Sequence, residues 1–420
     1  MGLWGSFLRF WPAVQGARGV YERKGGAMSH MIESAKALMP ELSAMRRDFH
    51  EYPETSLHEE ETSKKVAGYL REMGCDEVIE NVGGYGVIGV IKGAGAGGTV
   101  ALRADMDALQ IQEMNDVEYK SRNDGVMHAC GHDNHMTGLL GAAKLLLGRR
   151  AEINGTVKLV FQPAEEMSPV GGSRGMLDSG YLDDVAAIYG LHVWPDLPHG
   201  TVGIKSGPLM AATDHFTITI HGKTAHGAKP DQGIDAVVLG SQFVMAAQSI
   251  VSRKVNPLDN AVVTFGVFNA GTRYNIIAGE CVLDGTVRTL NEDIRNMIED
   301  SMRKLLDALC LQSGATADIV YGRGYPAVVN HEEDAVLIRQ TAVSLFGEEQ
   351  VEDVKLPAMP AEDFSFYLKK KQGAFVWLGT AREGQEVWPL HNSRFDVDED
   401  ILWRGAALLA QTAIDYLKRA

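Results

Sequence analysis

Residues 156–166 read TVKLVFQPAEE. A short run of Val, Leu and Phe, apolar at nearly every position, describes a strand buried on both faces, and the proline and paired glutamates that follow stop it abruptly. The same grammar recurs in GVIGVIKG (86–93), TVALRAD (99–105), AAIYGLHV (186–193) and GAFVWLGT (373–380). Helix-like segments lie between or after them: HMTGLLGAAKLLLGRR, SRGMLDSGYL and EDILWRGAALLAQTAIDYLKR. Two more precede them. SAKALMPELSAMRRDFHEYPE reads as one helical stretch ending near Pro53, and HEEETSKKVAGYLREMG stops at Gly74. This alternation predicts an α/β unit, a mixed sheet covered by helices.

Between about Ala211 and Gly322 the order changes. A strand (DHFTITIHGK), a helix (GIDAVVLGSQFVMAAQSIVSR), two strands (AVVTFGVFNAG, GECVLDGTVRT), a second helix (NEDIRNMIEDSMRKLLDALC) and a last strand (TADIVYG) spell β-α-β-β-α-β. That is the ferredoxin-like α+β arrangement. The expected organisation is a discontinuous catalytic domain at 28–210 and 323–420, with an inserted lid or dimerisation domain at 211–322. A chain of 420 residues is long enough for two cores.

Composition narrows the function. Fifteen more acidic than basic residues, with no basic run to offset them, exclude a nucleic-acid partner. Four cysteines scattered over this length make no disulfide framework and fit a reducing cytoplasm. The segment 1–27 reads apart from the rest. GLWGSFLRFWPAV is too short and too interrupted to span a membrane, and it lacks the basic start of a secretory signal. MGLWGS loosely fits a myristoylation pattern. The preferred reading is an extension, disordered or untranslated, with the true start at Met28; codons for Lys24-Gly25-Gly26 can spell a ribosome-binding site.

Residues 128–135, HACGHDNH, stand just before an amphipathic helix. A structural zinc site needs four ligands, and no second Cys/His pair follows at a suitable spacing. The remaining ligands must come from elsewhere. Asp105 and Asp107 lie just beyond the TVALRAD strand, Glu165 and Glu166 beyond TVKLVFQ, and His192 ends AAIYGLH. His391 follows the late strand in WPLHNSRFD. In α/β sheets ligands gather outside the carboxyl ends of the strands, so these side chains converge on one crevice. Thiolate, imidazole and carboxylate donors in this number exceed one tetrahedral site and suit two divalent cations of the zinc, manganese, cobalt or nickel kind. Such a pair brings the pKa of bound water from roughly 16 towards 7. Of the two glutamates one ligates, and the other moves the proton. Taken singly, each residue has a plain structural explanation: a buried thiol, a core histidine, a solvated acidic loop, a carboxylate capping backbone amides. Coincidence at successive strand ends does not explain them jointly. His128 and His135 are left outside the ligand set.

RADMDAL, GVMHACGHDNH, FQPAEE, GLHVWP, TAHGAKP and LHNSRFD resemble, in this order, the motifs of the M20 metallopeptidase clan. The likeness is to its amidohydrolase branch of hippurate hydrolases, N-acyl-amino-acid deacylases and auxin-conjugate hydrolases, and it runs from about residue 40 to the C-terminus. The resemblance implies a two-metal hydrolase of the amide between an acyl group and an amino acid. By position, Cys130 bridges the ions, His132 and His192 complete one site, and Glu166 and His391 the other. Glu165 is the general acid/base, and Asp107 orients a ligand. His226 reaches from the inserted domain into a neighbouring subunit's site to stabilise the oxyanion, which implies a homodimer or higher oligomer. Asn275 and Arg288 match positions near the substrate carboxylate. Gln110 and Pro360 depart from the clan's usual proline and glycine, and Pro360 is expected to reshape the substrate wall. Two other functions compete: a hydrolase with Cys130 as thiolate nucleophile, and a non-catalytic metal- or ligand-binding protein.

Overall fold

The computed structural model describes residues 21–419, with side chains from Met28 onward. Residues 1–20 of the expected extension lie outside the described residues, and 21–27 form the first turns of α1 (Tyr21–Ala37). The stretch expected as one helix is two. Leu38 interrupts it before α2 (Met39–Glu51), because Pro40 has no N–H to continue the ladder and is tolerated only in a helix's first turn. Next come α3 (Glu60–Met73), β1 (Glu77–Val82), β2 (Gly86–Lys92), β3 (Gly95–Asp105), α4 (His132–Leu147), β4 (Asn154–Gln162), α5 (Ser173–Asp178), β5 (Val185–Pro198), β6 (Val202–Ile204) and β7 (Gly207–Met210).

The chain then enters β8 (Ala212–His221), α6 (Ala236–Lys254), β9 (Ala261–Ala270), β10 (Glu280–Thr289), α7 (Glu292–Ser313) and β11 (Thr316–Arg323). It returns through β12 (Val328–Asn330), α8 (Glu332–Phe346), β13 (Val351–Asp353), α9 (Phe364–Leu368), β14 (Gln372–Ala381) and α10 (Leu402–Leu417).

The larger sheet has the order β1-β2-β4-β3-β5-β14-β6-β13. Its centre, β4-β3-β5-β14, is parallel throughout, and β1, β2 and β6 supply the antiparallel pairings that make it mixed. One face is covered by α4 and α10 packed on each other, with α1, α2, α3 and α8 completing that core. The other carries Met176, Phe364 and Tyr367 from α5 and α9, over Trp194 and Trp377, whose rings stack 4.2 Å apart. The smaller sheet, in the order β11-β8-β10-β9, is antiparallel and ferredoxin-like. Helices α6 and α7 pack together and build its separate core around Phe216, Phe243 and Met302.

Register positions the site. Arg103 of β3 pairs with Gly190 of β5, so β3 ends at Asp105 on the level of His192. His192 is not the strand end expected of it: β5 runs on to Pro198, with β14 as its parallel neighbour. Gly131 caps α4 at φ +85°, and a Cβ there would lie 2.4 Å from Val193 Cγ2, so only glycine lets the helix start this close to β5.

The two sheets join where β8 begins and β11 ends. Asp214, buried, accepts from Arg295 Nε at 3.0 Å, from the Tyr321 hydroxyl at 3.1 Å and from Gly324 N at 3.2 Å. Asp214→Ala removes the carboxylate hydrogen-bonded to the buried Arg295 guanidinium and leaves it the Gly324 carbonyl and the more distant Glu292, and urea unfolding is expected to show a loss of about 3 kcal/mol.

Candidate metal centre

Two imidazoles are aimed by their neighbours. His132 Nδ1 lies 2.7 Å from the carbonyl oxygen of Asp107, and His192 Nδ1 lies 2.6 Å from that of Val193. Each Nδ1–H is thereby committed to a carbonyl, which leaves the Nε2 lone pair free to bind a cation. His132 Nε2 is buried without a hydrogen-bond partner, and His192 Nε2 faces Cys130 Sγ at 3.4 Å. Cys130, His132 and His192 thus offer three donor atoms within 4.8 Å of one another. Cys130, Glu166 and His391 offer a second such group, and the sulfur is common to both. Glu166 Oε1 lies 3.1 Å from His391 Nε2 without hydrogen-bond geometry, as two lone pairs do when both face a shared cation. Soft sulfur, imidazole nitrogen and carboxylate oxygen suit zinc and its first-row neighbours, and the donor set fits two such ions.

Asp107 organises these groups. Its carboxylate accepts the backbone N–H of Glu165 at 3.1 Å, that of Glu166 at 2.9 Å and the Ser56 hydroxyl at 2.6 Å. Burial opposes its ionisation, but the hydrogen bond and charge of His132 outweigh it and hold Asp107 below the usual carboxylate range. Around His132, burial disfavours charge, yet Asp105, Asp107 and Glu166 raise its pKa to about 10. A field that holds a proton at this ring equally favours a metal cation. Burial, with Glu362 and Glu166 alongside, pushes Glu165 well above its ordinary value.

The chain is strained where the site requires it. Ala164 and His391 have φ of +53° and +62° without being glycine, conformations that cost about 1 to 3 kcal/mol each. Ala164 N is held by Glu59 Oε1 at 2.7 Å, and His391 N by the carbonyl of Ala129 at 2.8 Å. These bonds hold the starts of the Glu165 loop and the His391 loop in place.

Other candidates fall outside the donor set. Asp105 is spent on His135 Nδ1 and Arg103 Nη1, both at 2.6 Å, and His135 Nε2 accepts the Val193 N–H at 2.9 Å. Both nitrogens of His135 are therefore engaged. His128 is buried with neither ring nitrogen partnered, and belongs to none of the donor groups.

The donors open into a cavity of about 460 Å³ whose wall includes Trp194, Met210, Thr213, Arg288, Tyr325 and Leu390. Arg288 makes no ion pair among the described residues; its Nη1 bonds only the Thr286 hydroxyl and the Val287 carbonyl. Pro360 is on the wall, whereas Gln110 is exposed. His226 and Asn275 are not on it. They lie beside each other, Gly227 N donating to the Asn275 carbonyl at 2.8 Å, and His226 is exposed.

Sequence reasoning passes over four buried residues here. Glu362 and Asp363 approach Glu165 from the segment before α9, and Arg103 binds both, at 3.0 and 2.9 Å. A charged residue in the middle of the TVALRAD strand is the signal for Arg103, since a buried guanidinium demands carboxylates. Nothing in the pattern around Tyr325 singles it out.

The model of peptidase family M20/M25/M40 matches residues 101–415. N-acetylcysteine deacetylase of Bacillus subtilis is 40% identical over 91% of this chain and 98% of its own. Thermostable carboxypeptidase 1 of Saccharolobus solfataricus is 40% identical over 89% and 94%. A solved Bacillus subtilis structure, described as a dinuclear metal-binding peptidase from the M20 family, superposes with a TM-score of 0.80 at 37% identity, covering 92% of this chain and all of that one. With this fold, this crevice and these likenesses, the chain belongs to peptidase family M20/M25/M40 and is an amide hydrolase.

Proposed function

We propose that the protein cleaves the amide bond of N-acyl amino acids, of the hippurate or N-acetyl type, using two divalent metal ions and Glu165. The observation that carries this reading is the pair of donor groups sharing Cys130, with a glutamate beside them that neither group consumes. His132 and His192 would hold one ion, Glu166 and His391 the other, and Cys130 both. Ions in these positions, zinc, manganese, cobalt or nickel, supply Lewis acidity that polarises the scissile carbonyl and acidifies water. Glu165 takes a proton from the attacking water onto its carboxylate and delivers it to the leaving nitrogen. Asp107 keeps the Glu165 and Glu166 backbone in place. Arg288, unpaired on the cavity wall, is suited to the substrate carboxylate, and Trp194, Met210 and Leu390 shield the bond from bulk water. The carboxypeptidase relative fits the same chemistry, because the last residue of a peptide is itself an N-acyl amino acid.

His226 and Asn275 are assigned to the site of a second copy. Their place away from their own cavity supports this, and so does β9, a sheet edge that leaves Val262, Val267 and Phe268 exposed. The inserted domain at 211–322 would thus form the dimer, with 28–210 and 323–420 as the catalytic domain. Four free cysteines favour a reducing compartment such as the cytoplasm, and among the described residues no helix is long and apolar enough to cross a membrane.

A cysteine nucleophile fits poorly. Burial together with Glu166 and Glu165 pushes the Cys130 thiol well up, while burial and His135 push His192 well down, so proton transfer between them runs uphill. A purely binding role leaves unexplained the glutamate Glu165, which stands beside the two donor groups that share Cys130 and belongs to neither.

Three experiments test the proposal. Glu165→Gln is expected to lower kcat by about 10² to 10⁴ while the metal content stays unchanged; wild-type turnover by this variant rejects the mechanism. Metal-stripped protein, reloaded separately with zinc, manganese, cobalt and nickel, should recover hydrolysis of a panel of N-acetyl and N-benzoyl amino acids. Chelation that leaves activity intact excludes the metal reading. Mixing inactive His226→Ala and Glu165→Gln chains should restore up to about a quarter of wild-type activity, because a mixed pair holds one intact site. No recovery places His226 outside the partner's site.

A further inference from the structure

Tyr325 stands at the crossing where the chain returns from the smaller sheet. Thr213 N donates to the Tyr325 carbonyl and Gly324 N to that of Thr213, both at 2.9 Å, so the outgoing and returning strands are stitched together there. Asp214 holds Gly324 and Arg295 at the same place and ties the crossing to α7. From this anchor the tyrosine ring, 2% exposed, reaches into the loop that carries Glu165.

Three contacts define its seat. The ring meets Phe366 edge-on at 6.0 Å between centroids. It closes over Gly171, where a Cβ would come within 3.0 Å of Tyr325 Cε1 and 2.6 Å of Asp363 Oδ2; Gly171 also has φ of +64°. Its hydroxyl donates to the carbonyl oxygen of Glu165 at 2.6 Å.

A buried tyrosine hydroxyl needs an acceptor, and phenylalanine would satisfy the packing alone. The acceptor here is the backbone of the residue assigned to move the proton. Glu165 N–H is already taken by Asp107 at 3.1 Å. Both polar groups of the Glu165 main chain are therefore held by side chains from separate parts of the fold: Asp107 just after β3, and Tyr325 at the junction of the sheets. The carboxylate itself is held more loosely, by Asp363 N at 3.4 Å. Fixing the main chain on both sides sets the direction in which the side chain leaves it.

We propose that Tyr325 is a positioning residue, whose hydroxyl orients Glu165 and couples that orientation to the junction with the smaller sheet. This rests on the reading of Glu165 as the proton carrier. Tyr325→Phe keeps the ring and removes only the hydroxyl. In the metal-loaded, full-length enzyme we expect kcat on N-benzoylglycine, or on whichever N-acyl amino acid of the panel turns over, to fall about tenfold to a hundredfold. KM should stay within about twofold, metal content should be unchanged, and hydrogen exchange at the Glu165 and Glu166 amides should quicken. Phe366→Leu loosens the packing of the ring but spares the hydroxyl, and should keep kcat within about twofold of wild type.

A Tyr325→Phe enzyme with wild-type kcat, beside an inactive Glu165→Gln, overturns the positioning role alone. So does an equal fall in kcat for Tyr325→Phe and Phe366→Leu, which reduces Tyr325 to packing, or a raised KM with kcat intact, which makes it a substrate contact. Failure of Tyr325→Phe to fold where Phe366→Leu folds assigns the hydroxyl to stability and overturns it as well. An active Glu165→Gln removes the reading of Glu165, and this proposal with it.

Discussion

Asp107 ties the ring of His132 to the loop that carries Glu165 and Glu166. Its carbonyl takes the Nδ1–H of His132, and its carboxylate takes two successive backbone N–H groups and a serine hydroxyl. A carboxylate buried to this degree is costly unless its lone pairs are filled, and here two of the three donors are the backbone N–H groups of Glu165 and Glu166, the third being the Ser56 hydroxyl. The ligand ring, the glutamate pair and the end of β3 therefore share a single anchor. Displacing it would free His132 to rotate and the Glu165 loop to relax from its strained start at Ala164.

Charge is balanced in two shells around that anchor. Asp105, Asp107, Glu165, Glu166, Glu362 and Asp363 crowd a small volume, and the fully buried guanidinium of Arg103 is shared among Asp105, Glu362 and Asp363. Arg103 serves the outer carboxylates. The inner ones face the donors of the candidate metal centre, where raised proton affinity at His132 marks the same excess of negative charge. A pocket built this way pays its desolvation cost when cations occupy it, and the fit of donor chemistry to two such ions follows from electrostatics as much as from geometry.

The two sheets divide the work unevenly. The larger sheet, with α4 and the loops around them, supplies all the proposed metal ligands and Glu165, whereas the smaller contributes Thr213 and Arg288 to the cavity wall and its loops carry His226 and Asn275 elsewhere. What joins the sheets is short and heavily bonded: Thr213 and Asp214 on the outgoing strand are hydrogen-bonded to Gly324 and Tyr325 on the return. The same crossing carries Tyr325, whose hydroxyl donates to the carbonyl of Glu165, so junction and loop are joined by a direct hydrogen bond.

The alternation of buried strands with amphipathic helices and the ferredoxin-like β-α-β-β-α-β unit were legible in the sequence, because such segments leave periodic traces, and metal chemistry narrows candidate ligands to a few residue types; β1, β7 and α8 were passed over. The sequence also placed Asp107, Glu165 and Cys130 near helix or strand ends. Tertiary structure alone decided what depends on neighbours distant in the chain. The sheet order, the extension of β5 beyond His192 and the three-residue strands β6, β12 and β13 arise from pairing rather than local pattern. The break at Leu38 was written in Pro40, but an apolar spacing that continues across it concealed the signal. The engagement of both nitrogens of His135, the burial of Glu362 against Arg103 and the hydrogen bond from Tyr325 to Glu165 each join residues thirty or more positions apart. A linear pattern carries no record of such contacts, because their energy exists only after the sheets have packed.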